Sequence, residues 1–185
     1  MKVTRSEIPG VVVVEPKVFG DERGYFVETY AAERYKEAGV PLDFVQDNLS
    51  KSRRGVLRGL HLQNPHGQGK LVSVVVGAVW DVAVDVRVGS PTFGRWCAEE
   101  LSEANHRQMY VPPGCAHGFL VLSDEAIFSY KCTDRYHPEA EVGVVYNDPA
   151  LGITWPGADF TLSAKDLQLP LLSAIDVSKL PKYEP

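Results

Sequence analysis

Cysteine is scarce, and its placing excludes two architectures. Cys97, Cys115 and Cys132 are the only three, too few and too scattered for a disulfide framework or a zinc knuckle. They read as small core residues of a reducing compartment. Long apolar runs are missing as well. The longest, LVSVVVGAVW, covers about ten residues, too short to span a bilayer. The opening MKVTRSEIPG lacks the apolar segment of a secretory signal, so the expectation is a cytoplasmic protein that engages no membrane. Positive charge is in deficit: 19 Lys and Arg stand against 24 Asp and Glu, a net −5. Nucleic-acid binding, which calls for a basic surface, is not expected. No internal repeat, low-complexity linker or GxGxxG strand–helix signature occurs, and a nicotinamide site therefore has no support.

What is present is mostly β. The stretches VVVVE (11–15), YFVE (25–28) and LDFVQDNLS (42–50) are short and rich in branched or aromatic residues. KLVSVVV (70–76), a turn at Gly77 and VWDVAVDVRV (79–88) predict a hairpin. In its second arm Trp80, Val82, Val84 and Val86 alternate with Asp81, Ala83, Asp85 and Arg87, the pattern of a half-exposed strand. RWCAEEL (95–101), RQMYVP (107–112), HGFLVLS (117–123) and AIFSYKCTD (126–134) follow, bounded by turn residues. Helical signal is confined to AAERYKEA (31–38) and SAKDLQ (163–168), the latter with Ser163 as its N-cap. Many short strands at turn-marked spacing predict an all-β jelly roll, as barrel or sandwich, with a few short peripheral helices. One domain over residues 1–185 is expected, since a chain of this length buries roughly 70% of its unfolded surface.

One strand stands out. GVLRGLHLQ (55–63) carries a fixed charge and a titratable ring inside an apolar run. A buried arginine needs an anion and a buried histidine needs partners. From Asn48 to Trp80 there is no acidic residue, while Lys51, Arg53, Arg54, Arg58 and Lys70 all fall there. The first three read as a solvated strand end. Arg58 and Lys70 have apolar or glycine neighbours, and a diphosphate or carboxylate ligand would supply their missing anion. Strict alternation sends Arg58 and His61 to opposite sheet faces. A bulge at Gly59 would bring both into one cavity.

Histidine by itself decides little, because a single strand histidine also reads as a packed core residue. His66, His106 and His137 read as exposed loop residues, whereas the PPGCA turn aims His117 into whatever the next strand covers. The PxGxxH spacing at 112–117 is similar to half the pattern of metal-binding cupins. The HxH pair and glutamate of that pattern are replaced by HLQ and by Gly67 and Gln68, and two histidines do not close a metal shell. No metal is assigned. Tyr130 and Tyr136 read either as amphipathic packing residues or as a proton donor and a stacking platform.

FGDERGYFVE, FVQDN, GVLRGLH, QGKLV, RQMYVPPGCAHGF, YKCTDRY, NDPALGITWP and LSAKD occur in that order. With them the chain resembles the dTDP-4-dehydrorhamnose 3,5-epimerase family from about residue 3 to 170. The resemblance implies a cofactor-free cupin jelly roll that forms a homodimer. It implies inversion of C3 and C5 of dTDP-4-dehydro-6-deoxy-glucose, on the way to dTDP-L-rhamnose for lipopolysaccharide or cell-wall polysaccharide. His61 would then be the general base, Tyr130 the acid, Asp166 the residue that orients His61, and Lys70 the neighbour of the C4 oxygen. Arg23, Glu28, Gln46, Asp47, Asn48, Arg58, His117 and Glu141 fall where the family contacts the nucleotide sugar. Phe19 and Phe26 would border the nucleotide, some of these residues reaching across the dimer, and Tyr136 would stack on thymine. Leu62 and Cys115 depart from the usual aromatic residues.

The chemistry suits these residue types. Epimerisation beside a ketone removes a proton from one face and returns one to the other, which needs a base and an acid on opposite sides. A carboxylate fixes the tautomer of the histidine, and a lysine ammonium stabilises the enolate oxygen. Two other readings stay open: an enzyme that inverts a single carbon of a related sugar nucleotide, and a non-catalytic cupin that only binds one.

Overall fold

A computed structural model describes residues 1–40 and 43–184; Leu42, the first residue of the expected 42–50 strand, lies outside them. The first half of the chain forms β1 (Lys2–Arg5), β2 (Val12–Glu15), β3 (Val18–Asp21), β4 (Gly24–Val27), α1 (Ala32–Glu37), β5 (Gln46–Arg53), β6 (Leu57–Gln63), β7 (Lys70–Val76) and β8 (Ala78–Asp85). The second half adds β9 (Trp96–Ser102), β10 (Gln108–Val111), β11 (Cys115–Val121), β12 (Glu125–Cys132), β13 (Glu141–Gly143) and α2 (Ala164–Leu167). Two antiparallel sheets dominate. One has the order β1-β2-β10-β7-β12-β5, the other β13-β6-β11-β8-β9, and β3-β4 form a separate hairpin.

The main core lies between the sheets. Val72, Val74, Met109 and Phe128 from the six-stranded sheet meet Val79, Ala83 and Phe119 from the five-stranded one. The outer face of the five-stranded sheet is covered too, and part of that of the six-stranded one, where Leu49 and Val75 stay exposed. Val144, Leu151, Trp155, Leu172 and Leu180 of the C-terminal segment pack over Leu57, Val82, Val84 and Leu120. Tyr35 and Val40 cover Val12, Val14 and Leu71 on the far side.

This layering corrects two expectations. β8 is not half-exposed, because Asp81 and Asp85 are fully buried opposite an equally buried valine row. Its polar residues do not face water; they carry internal partners. The Asp85 carboxylate accepts hydrogen bonds from Arg87, Ser90 and Thr92, and those bonds outweigh burial in holding its pKa down. Nor do β7 and β8 form a hairpin. β7 pairs with β10 and β12, whereas β8 pairs with β9 and β11. Gly77, at φ +79°, presses against the Glu125 carbonyl and hands the chain from one sheet to the other.

β6 contains the irregularity that matters most. Opposite β11, His61 pairs with His117 but Arg58 pairs with Phe119, so β6 holds one residue more than its partner across this step. Gly59, at φ +117°, sits in the bulge with no room for a side chain. A Cβ there would lie 2.6 Å from the Gly118 Cα and 2.7 Å from the His117 carbonyl oxygen. Gly59→Ala should therefore cost about 3 kcal/mol in urea unfolding, and an unchanged midpoint would show that the bulge tolerates a methyl group.

Candidate active site

A cleft of about 460 Å³ opens between the sheets. Arg58 and His61 of β6, with His117 of β11, line one wall; Lys70 of β7 and Tyr130 of β12 line the other. A second compartment of about 420 Å³ continues from it, sharing His61, Lys70, Tyr130 and Lys165 and adding Gln46, Asn48, Tyr136 and Glu141. The bulge at Gly59 is thus what allows Arg58 and His61 to face the same space.

His61 is held from behind. Its Nε2 lies 2.6 Å from Asp166 Oδ1, and Asp166 is buried. The short helix α2 presents that carboxylate, and the Ser163 hydroxyl caps it by accepting from the Asp166 backbone N–H at 3.0 Å. A serine N-cap satisfies a helix-end donor that would otherwise be orphaned. Among the described residues the Nδ1 of His61 has no protein partner. The same is true of the Tyr130 hydroxyl and the Lys70 ammonium, neither of which makes a hydrogen bond or ion pair there. Burial raises the pKa of the Tyr130 phenol, so it remains a proton donor through neutral pH. Burial lowers the pKa of Lys70, against the pull of Cys132 and Glu141.

The remaining polar groups form two supporting networks. His117 Nε2 sits 2.9 Å from the Asp81 carboxylate, whose pKa burial raises despite the imidazole. In the second compartment Glu141 accepts from Lys165 at 2.6 Å and from the Tyr136 hydroxyl at 2.7 Å. Burial pushes Glu141 up, but those two bonds outweigh it and keep the carboxyl below its ordinary value. Gln46 accepts from the Tyr136 backbone N–H at 3.0 Å and donates to Asn48. Arg58 donates to the Ser52 hydroxyl at 3.1 Å and has no acidic partner among the described residues. Lys51 and Arg54 instead pair with Glu125 and Asp124 on the surface.

Five expected residues lie elsewhere. Asp47 points to the alternate face of β5 and pairs with Lys131 at 3.0 Å. Phe19, Arg23, Phe26 and Glu28 belong to the β3–β4 hairpin and the residue that follows it, away from the cleft. Leu62 and Cys115 are buried, and Leu62 lines the second compartment. Two residues of the site were not anticipated. Asp81 alternates with the valines of β8 as a solvent-facing residue does, and nothing in LSAKD distinguishes Lys165 from an exposed lysine.

The chain matches the family model for dTDP-4-dehydrorhamnose 3,5-epimerase over residues 5–174. It belongs to that family. The dTDP-4-dehydrorhamnose 3,5-epimerase of Pseudomonas aeruginosa is 57% identical over 170 residues, 91% of this chain and 94% of that protein. The crystal structure of the Legionella pneumophila dTDP-6-deoxy-D-glucose-3,5-epimerase, in complex with dTDP-4-keto-L-rhamnose, superposes with a TM-score of 0.96. It is 53% identical and covers 100% of this chain and 99% of that one. A dTDP-4-dehydrorhamnose 3-epimerase of Streptomyces niveus is 44% identical over 99% of this chain and 90% of that protein. Family membership makes the two-sheet sandwich a cupin-like jelly roll and the chain an isomerase that epimerises a sugar nucleotide.

The family's reaction makes the lowered pKa of Lys70 measurable. The ammonium exists below that pKa and is lost above it, so a rate that needs it falls on the alkaline side before the ordinary lysine value of 10.5 is reached. Lys70→Arg carries a permanent charge; its slower reaction should lack this limb in a kcat–pH profile. A limb that persists in Lys70→Arg would trace it to another group.

Proposed function

We propose that the chain converts dTDP-4-dehydro-6-deoxy-glucose to dTDP-4-dehydro-L-rhamnose by inverting C3 and C5 in turn. One observation carries this reading: the His61 imidazole, its Nε2 held by Asp166 and its Nδ1 free, and the unpartnered Tyr130 phenol stand on opposite sheets across a single cleft. His61, oriented by Asp166, takes the proton beside the C4 ketone through Nδ1. The electron pair moves onto the C4 oxygen, and the Lys70 ammonium stabilises the resulting enolate. Stabilisation of this kind is greatest in the transition state. Tyr130 then delivers a proton to the opposite face of the same carbon. Proton exchange with water restores both groups, and nothing is oxidised or reduced.

Binding follows from the surrounding groups. Arg58 suits the diphosphate, since a guanidinium fork matches phosphate oxygens. Tyr136 offers a face to thymine, and Gln46, Asn48, His117 and Glu141 bound the sugar and its linkage. The β3–β4 hairpin exposes Phe19, Tyr25 and Phe26 at 53%, 60% and 67%, an apolar ribbon more characteristic of an interface than of a free surface. We assign Phe19, Arg23, Phe26, Glu28 and Asp47 to nucleotide contacts completed in a homodimer, the enzyme acting in the cytoplasm to supply rhamnose for surface polysaccharide. Inversion of a single carbon is the second reading, favoured by the identity shared with a 3-epimerase.

Incubation with dTDP-4-dehydro-6-deoxy-glucose in deuterated water should place deuterium at both C3 and C5. Label at one carbon establishes the second reading, and none at either removes both. His61→Ala should lower kcat by about 10²–10⁴-fold with a modest change in KM. For the assembly, Phe26→Asp should shift sedimentation from dimer to monomer and raise KM more than it lowers kcat. A wild-type chain that is monomeric and fully active would refute the shared site.

A further inference from the structure

Outside the cleft, two loops bring together three side chains that the reaction does not use. His66 lies in the connection from β6 to β7, and Asp134 and His137 follow β12. The two imidazoles stack with centroids 4.1 Å apart and planes inclined by 14°. The Asp134 carboxylate approaches both, at 3.8 Å from His66 Nδ1 and 3.8 Å from His137 Nε2. Neither separation is a hydrogen bond. Three potential ligand atoms therefore converge, all within 4.8 Å of one another, without bonding among themselves. None of the three residues lines either compartment of the cleft.

The arrangement is supported from outside as a metal site would be. Glu139 Oε1 lies 3.3 Å from the other nitrogen of His137, Nδ1. A carboxylate behind a ligating imidazole fixes the tautomer and leaves the opposite nitrogen free to coordinate. The backbones of both loops are fixed by buried glutamines. The Gln63 amide donates to the His66 carbonyl at 2.7 Å and to the Arg135 carbonyl at 3.2 Å, and its oxygen accepts from the His137 N–H at 2.9 Å. Gln68 donates to the Asp134 carbonyl at 2.8 Å. Rotation of these side chains onto an ion therefore needs no rearrangement of the backbones that carry them.

We propose that His66, Asp134 and His137 bind one divalent transition-metal ion, zinc in the first instance, which staples the 64–69 loop to the 133–140 segment. Zinc holds imidazole nitrogens and carboxylate oxygens at about 2.0–2.2 Å, so its donors stand roughly 3.3 Å apart. The two 3.8 Å gaps, one to each Asp134 oxygen, need to close by about half an ångström and the remaining separations, all within 4.8 Å, by up to about 1.5 Å, which rotation of the three side chains supplies. Two imidazoles and one carboxylate suit zinc, nickel or copper better than magnesium or calcium, which prefer all-oxygen shells. The site is independent of the epimerase mechanism. It bears on the rim of the cleft because Tyr136 lies between two of its ligands in sequence.

The test is a calorimetric titration of the EDTA-treated full chain with zinc chloride, with cobalt(II) absorption as a second probe of the ligand set. One ion per chain should bind at low micromolar concentration. His66→Ala and His137→Ala should each weaken binding by tenfold or more, and Glu139→Ala by about tenfold. All three variants should keep the wild-type melting temperature and epimerase rate in EDTA, so that lost binding is not lost folding. Zinc should raise the melting temperature of the wild type but not of the His66→Ala/His137→Ala double variant. Absence of stoichiometric binding, or binding that survives the double variant, overturns the site. Binding without a rise in melting temperature overturns the staple.

Discussion

The extra residue at Gly59 lets two side chains that strict pleating would separate look into one space. Without it, Arg58 and His61 would lie on opposite faces of β6, one in the cleft and one in the C-terminal layer of apolar side chains. The bulge is possible because Gly59 and Gly118 both lack side chains where β6 and β11 approach most closely. Tyr130 and Lys70, across the cleft from His61, belong to the other sheet. The separation of His61 from Tyr130 is therefore set by the spacing of two packed layers, and a ligand need not organise it.

Electrostatics explains why the polar groups beside this space differ so much in their partners. Asp81, Asp166 and Glu141 are each engaged by a neighbour. Among the described residues Lys70, Tyr130 and Arg58 have no acidic partner. Carboxylates that orient other groups are satisfied within the protein, whereas the groups that suit a ligand's oxygens and carbon acids are left available. Preorganisation of this kind avoids rearranging dipoles when charge develops.

Much of this was legible in the residues. The acid-free run from Asn48 to Trp80 marked Arg58 and Lys70, the two cations that face each other across the cleft, and the glycine between Arg58 and His61 marked the bulge. Ser163 marked the start of the helix that carries Asp166. Other features were hidden for definite reasons. Alternation in β8 reads the same whether its polar row faces water or buried partners, and only the positions of His117 and Arg87 in three dimensions distinguish the cases. Gly77 between two β runs resembles a hairpin turn, because a turn residue does not reveal whether the chain returns to the same sheet. The β3–β4 hairpin, whose strands pair only with each other, left Phe19 and Phe26 remote from the cleft, and no local pattern states whether a second chain receives them.

The crossing at Gly77 is one of several. β5 joins the six-stranded sheet, β6 the five-stranded, β7 the six-stranded and β8 the five-stranded, and β10 to β13 alternate in the same way. Neither layer can be completed by a continuous piece of chain, since each waits for strands made on either side of the other's. Such non-local pairing makes acquisition of the native state slow and cooperative, and a truncation or nick anywhere between β5 and β13 leaves two unfinished sheets in place of one intact half.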